Sequence, residues 1–242
     1  MKEIKIPNKT IDDYLHQIFV KGAAGSVPAF GSLFKEIFTM IIPSSLEERR
    51  QIWMEEITSA INYLFQKDEN FIENIRENEE FTSIIIEATQ FALKSHQDEK
   101  IKLFRNAIIG SVAIDTSFYF KQTFLRLIDE LHPEQIIILN ILKNEKEKII
   151  MLESYDDFNS FFLNHENLKK ITPILTRHFL LDLDKRGLII ISSSIGELKG
   201  YIKEYSTIVE GNNESLPFIS ITDLGLDFLR FILYGNNIIG EK

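Results

Sequence analysis

The chain of 242 residues contains no cysteine. Disulfide staples, thiolate metal sites and cysteine nucleophiles are therefore excluded, and the composition is compatible with a reducing cytosol. Basic charge is also scarce. Lys and Arg number 27 against 36 Asp and Glu, a formal net charge of -9. The deficit is even, with 15 basic and 20 acidic side chains up to Leu131 and 12 and 16 after it. Phosphate contacts are made by Lys and Arg, so any nucleic-acid binding would rest on a local patch. Long apolar runs are missing too. The longest uncharged run of low polarity, residues 22–34, spans about 13 residues with three glycines and Pro28, whereas a membrane-spanning helix takes roughly 20. No ordinary transmembrane helix is expected. The acid-bearing start MKEIKIPNKTIDDYL has no apolar core of signal-peptide length, so a cytoplasmic location is expected.

Catalytic signatures are lacking as well. There is no Gly-rich loop followed by Lys and Ser/Thr, no Gly-x-Ser-x-Gly elbow and no kinase motif set. The five histidines, His16, His96, His132, His165 and His178, have no partner three or four residues away of the kind that zinc helices show. No enzymatic activity, metal or cofactor is expected.

What the chain has is apolar residues in helical spacing. The 44% apolar share is enough for a sizeable core and too much for a disordered chain. A short helix is predicted over residues 10–20. Residues 22–42 follow, with Phe30, Phe34, Ile37, Phe38 and Ile41 on one face. This segment reads either as a buried helix entered through a glycine turn or as an amphipathic segment able to enter a membrane. Ser44 and Ser45 stand three residues before Glu47 and Glu48, a capping-box pattern. The helix after them carries Leu46, Trp53, Ile57, Ala60, Ile61 and Leu64 along one face, with Trp53 as the expected anchor of the first core. Further helices are predicted over residues 68–77 and 80–95, from residue 98 onward, and over 118–131. Their inward stripes include Ile101, Phe104, Ala107 and Ile108, and then Phe120, Phe124, Leu127 and Ile128. No strand is expected in this half.

A restart is expected at His132-Pro133-Glu134, because proline suits the first helical turn. Residues 134–142 are apolar on several sides, and residues 149–152 read as a short strand. Helices over 154–164 and 168–186 come next. The latter stops at Gly187 and turns into a strand at 188–191. Residues 218–221 read as its partner strand, and Thr222 or Asp223 caps a last helix to about residue 234. The expected architecture is mainly α with a small β-wing. A helical bundle (1–131) packs on a second module (132–242) with a long insertion near 192–217.

Leu183-Asp-Lys-Arg-Gly-Leu-Ile189, followed by Ile219-Ser-Ile-Thr-Asp-Leu-Gly225, resembles the winged helix-turn-helix pattern of the MarR type. That resemblance covers roughly residues 133–234 and implies a recognition helix, a wing and a closing helix. Such modules serve DNA binding, protein contact or dimerisation alike. The whole layout is loosely similar to Abi-alpha-type abortive-infection proteins. The glycine-bearing apolar N-terminal stretch, Arg105-Asn-Ala107, His132-Pro133 and Thr222-Asp-Leu-Gly225 carry the likeness. It implies a phage-defence setting and no particular activity.

For a DNA-reading helix the candidate residues are Lys169, Lys170, Thr172, Thr176 and Arg177. Lys169 and Lys170 would meet phosphates, and Thr176 and Arg177 would meet base edges. The acidic insertion, with Glu197, Glu204, Glu210 and Glu214, argues against that use. A protein partner or a homodimer is the leading expectation. DNA is disfavoured by charge, and a membrane is reachable only through 22–42.

Overall fold

The computed structural model describes residues 46–68, 78–151, 155–168, 171–192 and 218–234. Helix dominates them, joined by one two-stranded antiparallel sheet, so the fold is mainly α with a small β element. Several expectations lie outside the described residues: the 10–20 helix, Phe30, Phe34, Ile37, Phe38 and Ile41, the Ser44/Ser45 cap, the 68–77 helix apart from Asp68, Lys169, Lys170 and most of the 192–217 insertion. The described residues fall into two compact units. One is drawn from Met1–Glu130 and Arg230–Lys242, the other from Leu131–Leu229.

The first unit is built on helices α1 (Glu47–Lys67), α2 (Glu79–Lys94), α3 (Asp98–Ala113) and α4 (Phe118–Glu130). The residue before α1 is Leu46, which makes no side-chain cap. Asn78 does cap α2, its side chain accepting from the Phe81 N–H at 3.0 Å. That bond satisfies one of the unpaired amides at a helix start. The α1 face Trp53, Ile57, Ala60, Ile61 and Leu64 is buried as its spacing predicts. The Trp53 indole N–H donates to Thr89 Oγ1 (3.1 Å), whose hydroxyl donates to the Ile85 carbonyl (2.7 Å).

Helix α3 departs from the one-sided stripe expected of it. It is buried from Leu103 to Ser111 on every side, because α1, α2 and α4 all pack against it. That position takes in polar residues, and each is matched. Arg105 Nε and Nη2 both donate to Asn106 Oδ1 (3.1 and 3.0 Å), and Nη1 meets Glu56 Oε2 at 2.9 Å. Asn106 Nδ2 donates to the Ile232 carbonyl (3.0 Å). Beside it Gly110 admits the backbone of Phe231, since a Cβ built there would collide with the Phe231 carbonyl oxygen. Phe124 lies 5.2 Å from the Phe231 ring. Phe120, expected inward, is instead 42% exposed. It sits in the first turn of α4, one turn short of Phe124, where the inward stripe begins.

The second unit runs α5 (Pro133–Asn144), α6 (Lys146–Ile150), α7 (Tyr155–Leu163), α8 (Pro173–Lys185), β1 (Ile189–Ser192), β2 (Phe218–Ile221) and the start of α9 (Asp223–Leu233). Helix α5 opens on Pro133, with Gln135 Oε1 accepting from the His132 N–H (2.9 Å). Its residues Ile136, Ile138, Leu139, Ile141 and Leu142 are buried. The strand expected at 149–152 is not formed in its described part: Lys146–Ile150 is a short helix and Met151 a turn. Local bonds decide this. The Ile149 N–H donates to the Glu145 carbonyl (3.1 Å), and Lys148 reaches back to the Glu145 carboxylate (2.8 Å).

The stop at Gly187 is a left-handed residue (φ 73°) that ends α8. Gly187 N–H bonds the Asp184 carbonyl (2.8 Å) and Leu188 N–H the Leu183 carbonyl (3.0 Å), the paired closure of a Schellman cap. The chain then enters β1 directly. β1 and β2 pair antiparallel with Ile189 opposite Ile221 and Ile191 opposite Ile219. Thr222 locks the return. Its hydroxyl lies 2.7 Å from the Gly187 oxygen and 3.0 Å from that of Leu188, and it accepts from the Gly225 N–H (3.0 Å). Gly225 itself must lack a Cβ, which would strike the Leu188 carbonyl oxygen.

Candidate functional site

Of the residues singled out for ligand contact, Thr172, Thr176 and Arg177 are described, and they lie on α8 or at its cap. Thr172 is its N-cap, with Oγ1 accepting from the Leu175 N–H at 3.3 Å, and Pro173 is the first helical residue. From there the helix has two characters. Thr176, Phe179, Leu180 and Leu183 face the core and are buried. Ile174 is 84% exposed and Leu175 39%. Arg177 is half-buried and His178 exposed.

This placement corrects one expectation. Thr176 cannot meet a base edge where it stands, because it is 1% exposed and its hydroxyl donates to the Thr172 carbonyl at 3.0 Å. The spacing contained the signal: 176, 179, 180 and 183 form one helical stripe. Thr172 and Arg177 remain outward, and Lys169 and Lys170 lie outside the described residues. Sequence reasoning passed over Ile174 and Leu175. They fall off that stripe, and the periodicity that buries Thr176 turns them out.

The far end of α8 is held by a polar cluster. Asp182 Oδ2 accepts from Gln135 Nε2 and from Arg186 Nε, each at 2.9 Å. Partial burial raises the Asp182 pKa, but the bonds from Gln135 and Arg186 outweigh it and leave the carboxyl below its ordinary value. Asp184 Oδ1 accepts from the Ile191 N–H (3.0 Å) and so ties the helix to β1. These acids and bases explain one another without a ligand. Basic residues at the helix C-terminus also complement its dipole.

His165 forms a second polar node. Its Nε2 is 2.9 Å from Glu145 Oε1, and its Nδ1 accepts from the Asn167 N–H at 3.3 Å. An accepting Nδ1 carries no proton, so the proton sits on Nε2 and is donated to Glu145. Hydrogen bonds from His165 and Lys148 hold the Glu145 carboxyl below its usual range. The node fastens the end of α7 to the α5–α6 junction.

Among the described residues no group of three His, Cys, Asp or Glu is placed to hold a metal ion. No helix among them is long and apolar enough to cross a membrane. Comparison of the chain with protein-family models, with curated proteins and with solved structures finds no match.

Proposed function

We propose that the chain is a non-enzymatic cytoplasmic protein whose residues 132–242 form a winged-helix-like protein-contact module, with the start of α8 as its contact face. Ile174 carries the reading. It stands 84% exposed in the first turn of the helix, with Leu175 beside it at 39%. A helix that reads DNA presents donors and acceptors to base edges and cations to phosphates. Here the Thr176 hydroxyl is spent inside the helix, and Arg177 is the sole Lys or Arg among residues 173–180. Burying an isoleucine is worth about 1.5–3 kcal/mol, so this end gains more from an apolar partner than from a polyanion. The simplest occupant is a second copy of the chain. The likeness to Abi-alpha-type proteins supports a phage-defence setting.

Sedimentation equilibrium of the full chain over a concentration series tests the reading. A dimer that Ile174→Glu converts to monomer is the expected result. A chain that stays monomeric and binds random duplex DNA, with affinity that falls as salt rises and is lost in Arg177→Glu, overturns it in favour of a DNA-binding regulator.

A further inference from the structure

The imidazole of His165 is bonded through both ring nitrogens, and the two bonds answer differently to a proton. Nε2 is 2.9 Å from Glu145 Oε1, and Nδ1 accepts from the Asn167 N–H at 3.3 Å. The ring is held in place. Its side chain is 11% exposed, and the Phe161 ring meets it edge-on with centroids 6.0 Å apart. The main chain around it forms a turn. The His165 N–H donates to the Phe162 carbonyl (3.3 Å), and the Leu168 N–H donates to the His165 carbonyl (2.9 Å).

Among the described residues, charge reaches the ring from the α5–α6 junction. Glu145 is in contact, and Lys148 Nζ takes the other carboxylate oxygen, Oε2, at 2.8 Å. Lys146 and Glu147 of α6, Asp157 of α7 and Glu166, next in the chain, are exposed. Helix α7 offers the ring only the uncharged Phe161. Hydrogen bonds from His165 and Lys148 hold the Glu145 carboxyl below its usual range, so it stays ionised where an imidazole titrates.

From this geometry we infer that His165 is a proton-driven switch of the turn between α7 and α8. A second proton converts Nδ1 from acceptor to donor. Nδ1 then meets the Asn167 N–H donor to donor, and that bond is lost. Turning the ring over cannot restore it, because both nitrogens of an imidazolium are donors. The same proton strengthens the other bond, since the Nε2–H and Glu145 become a pair of opposite charges. Mild acid therefore clamps the ring to the α5–α6 junction and frees the Asn167 amide. Leu168 is buried and keeps its bond to the His165 carbonyl, so the release stays local. Asn167 precedes Thr172, the N-cap of α8, which puts the freed turn ahead of that helix. The switch does not depend on what α8 contacts.

Nitrogen-15 NMR of the full chain between about pH 8 and 5, the range in which imidazoles change charge, tests the proposal. At the upper end the His165 ring should carry its proton on Nε2 alone. As the ring takes up its second proton, water exchange of the Asn167 amide, corrected for its intrinsic pH dependence, should speed about two- to tenfold, the worth of one hydrogen bond. The change should share the ring's midpoint, and the Leu168 amide should not follow it. His165→Asn places a non-titrating acceptor near the Nδ1 position and should keep the Asn167 amide slow at both ends. His165→Gln reaches the Nε2 position, keeps a donor for Glu145 and should leave that amide fast at both ends. A proton on Nδ1 at the upper end, a ring that stays neutral to the lower end, or an Asn167 amide indifferent to the ring's titration overturns the proposal. The titration of the unaltered chain decides it even if a variant fails to fold.

Discussion

Helices α3 and α8 put opposite problems to their units. Helix α3 is buried on all sides yet contains Arg105 and Asn106. Each polar group there has a partner: Glu56 and Asn106 for the guanidinium, the Ile232 carbonyl for the amide. Helix α8 is buried on one side and leaves Ile174 and Leu175 outside. The polar groups of Arg105 and Asn106 find their partners within the first unit. On α8 Ile174 and Leu175 stay uncovered by the described residues. Polarity alone is therefore a poor guide to function in this chain. The buried arginine is structural, and the exposed isoleucine is the better candidate for contact.

The largest expected effect breaks the closed side of this comparison. Asn106→Ala strips the Arg105 fork of its acceptor and the Ile232 carbonyl of its donor. It should cost about 3 kcal/mol, read from urea unfolding. Loss below 1 kcal/mol would show that the network is not what holds α3. Gly225→Ala should come next, at about 2–3 kcal/mol, because the new Cβ meets main chain at Leu188 that cannot swing aside. A smaller change sharpens the comparison from the other direction. Thr58 Oγ1 is buried and has no hydrogen-bond partner among the described residues. Thr58→Val should therefore raise stability by about 1 kcal/mol in the same assay.

The pH dependence supplies a fourth test. Asp182 and Glu145 both have folded pKa values below their ordinary 3.8 and 4.5. The unfolded chain then binds more protons in the acid range, so their stabilisation is complete above those values and is lost as pH falls through the lower folded ones. Asp182→Asn should flatten the acid limb of the urea midpoint below about pH 4. The smallest stability change is expected for Ile174→Glu, within about 0.5 kcal/mol, because an exposed side chain gives up no packing. If it destabilised the monomer by several times that, Ile174 would be a core residue and the contrast with α3 would fall.

Much of the architecture was legible. The stripe of Trp53, Ile57, Ala60, Ile61 and Leu64 faces inward as spaced. The Leu183–Ile189 stretch does stop a helix at a left-handed glycine and start a strand. Thr222 and Gly225 meet that stop through hydrogen bonds and close backbone contact, which gives the paired sequence patterns a physical cause. The candidate site was legible only in outline. Thr176 was readable as core from its stripe, but its hydroxyl suggested a surface role. Ile174 looked unremarkable because nothing local says whether an apolar residue off the stripe is covered. The run at 149–151 was misread since β-branched residues suggest a strand, while the Glu and Lys just before it formed a helical turn.

By itself the sequence determined the helical content, the absence of thiol chemistry, the acidic balance and the places where helices stop. Those follow from short-range rules: periodicity, capping and the conformational freedom of Gly187. Only the tertiary structure decided that α3 is enclosed and that Phe120 faces out. Each of those depends on groups far apart in the chain. A residue's own neighbours set which way it points, and distant segments set whether anything is there to meet it.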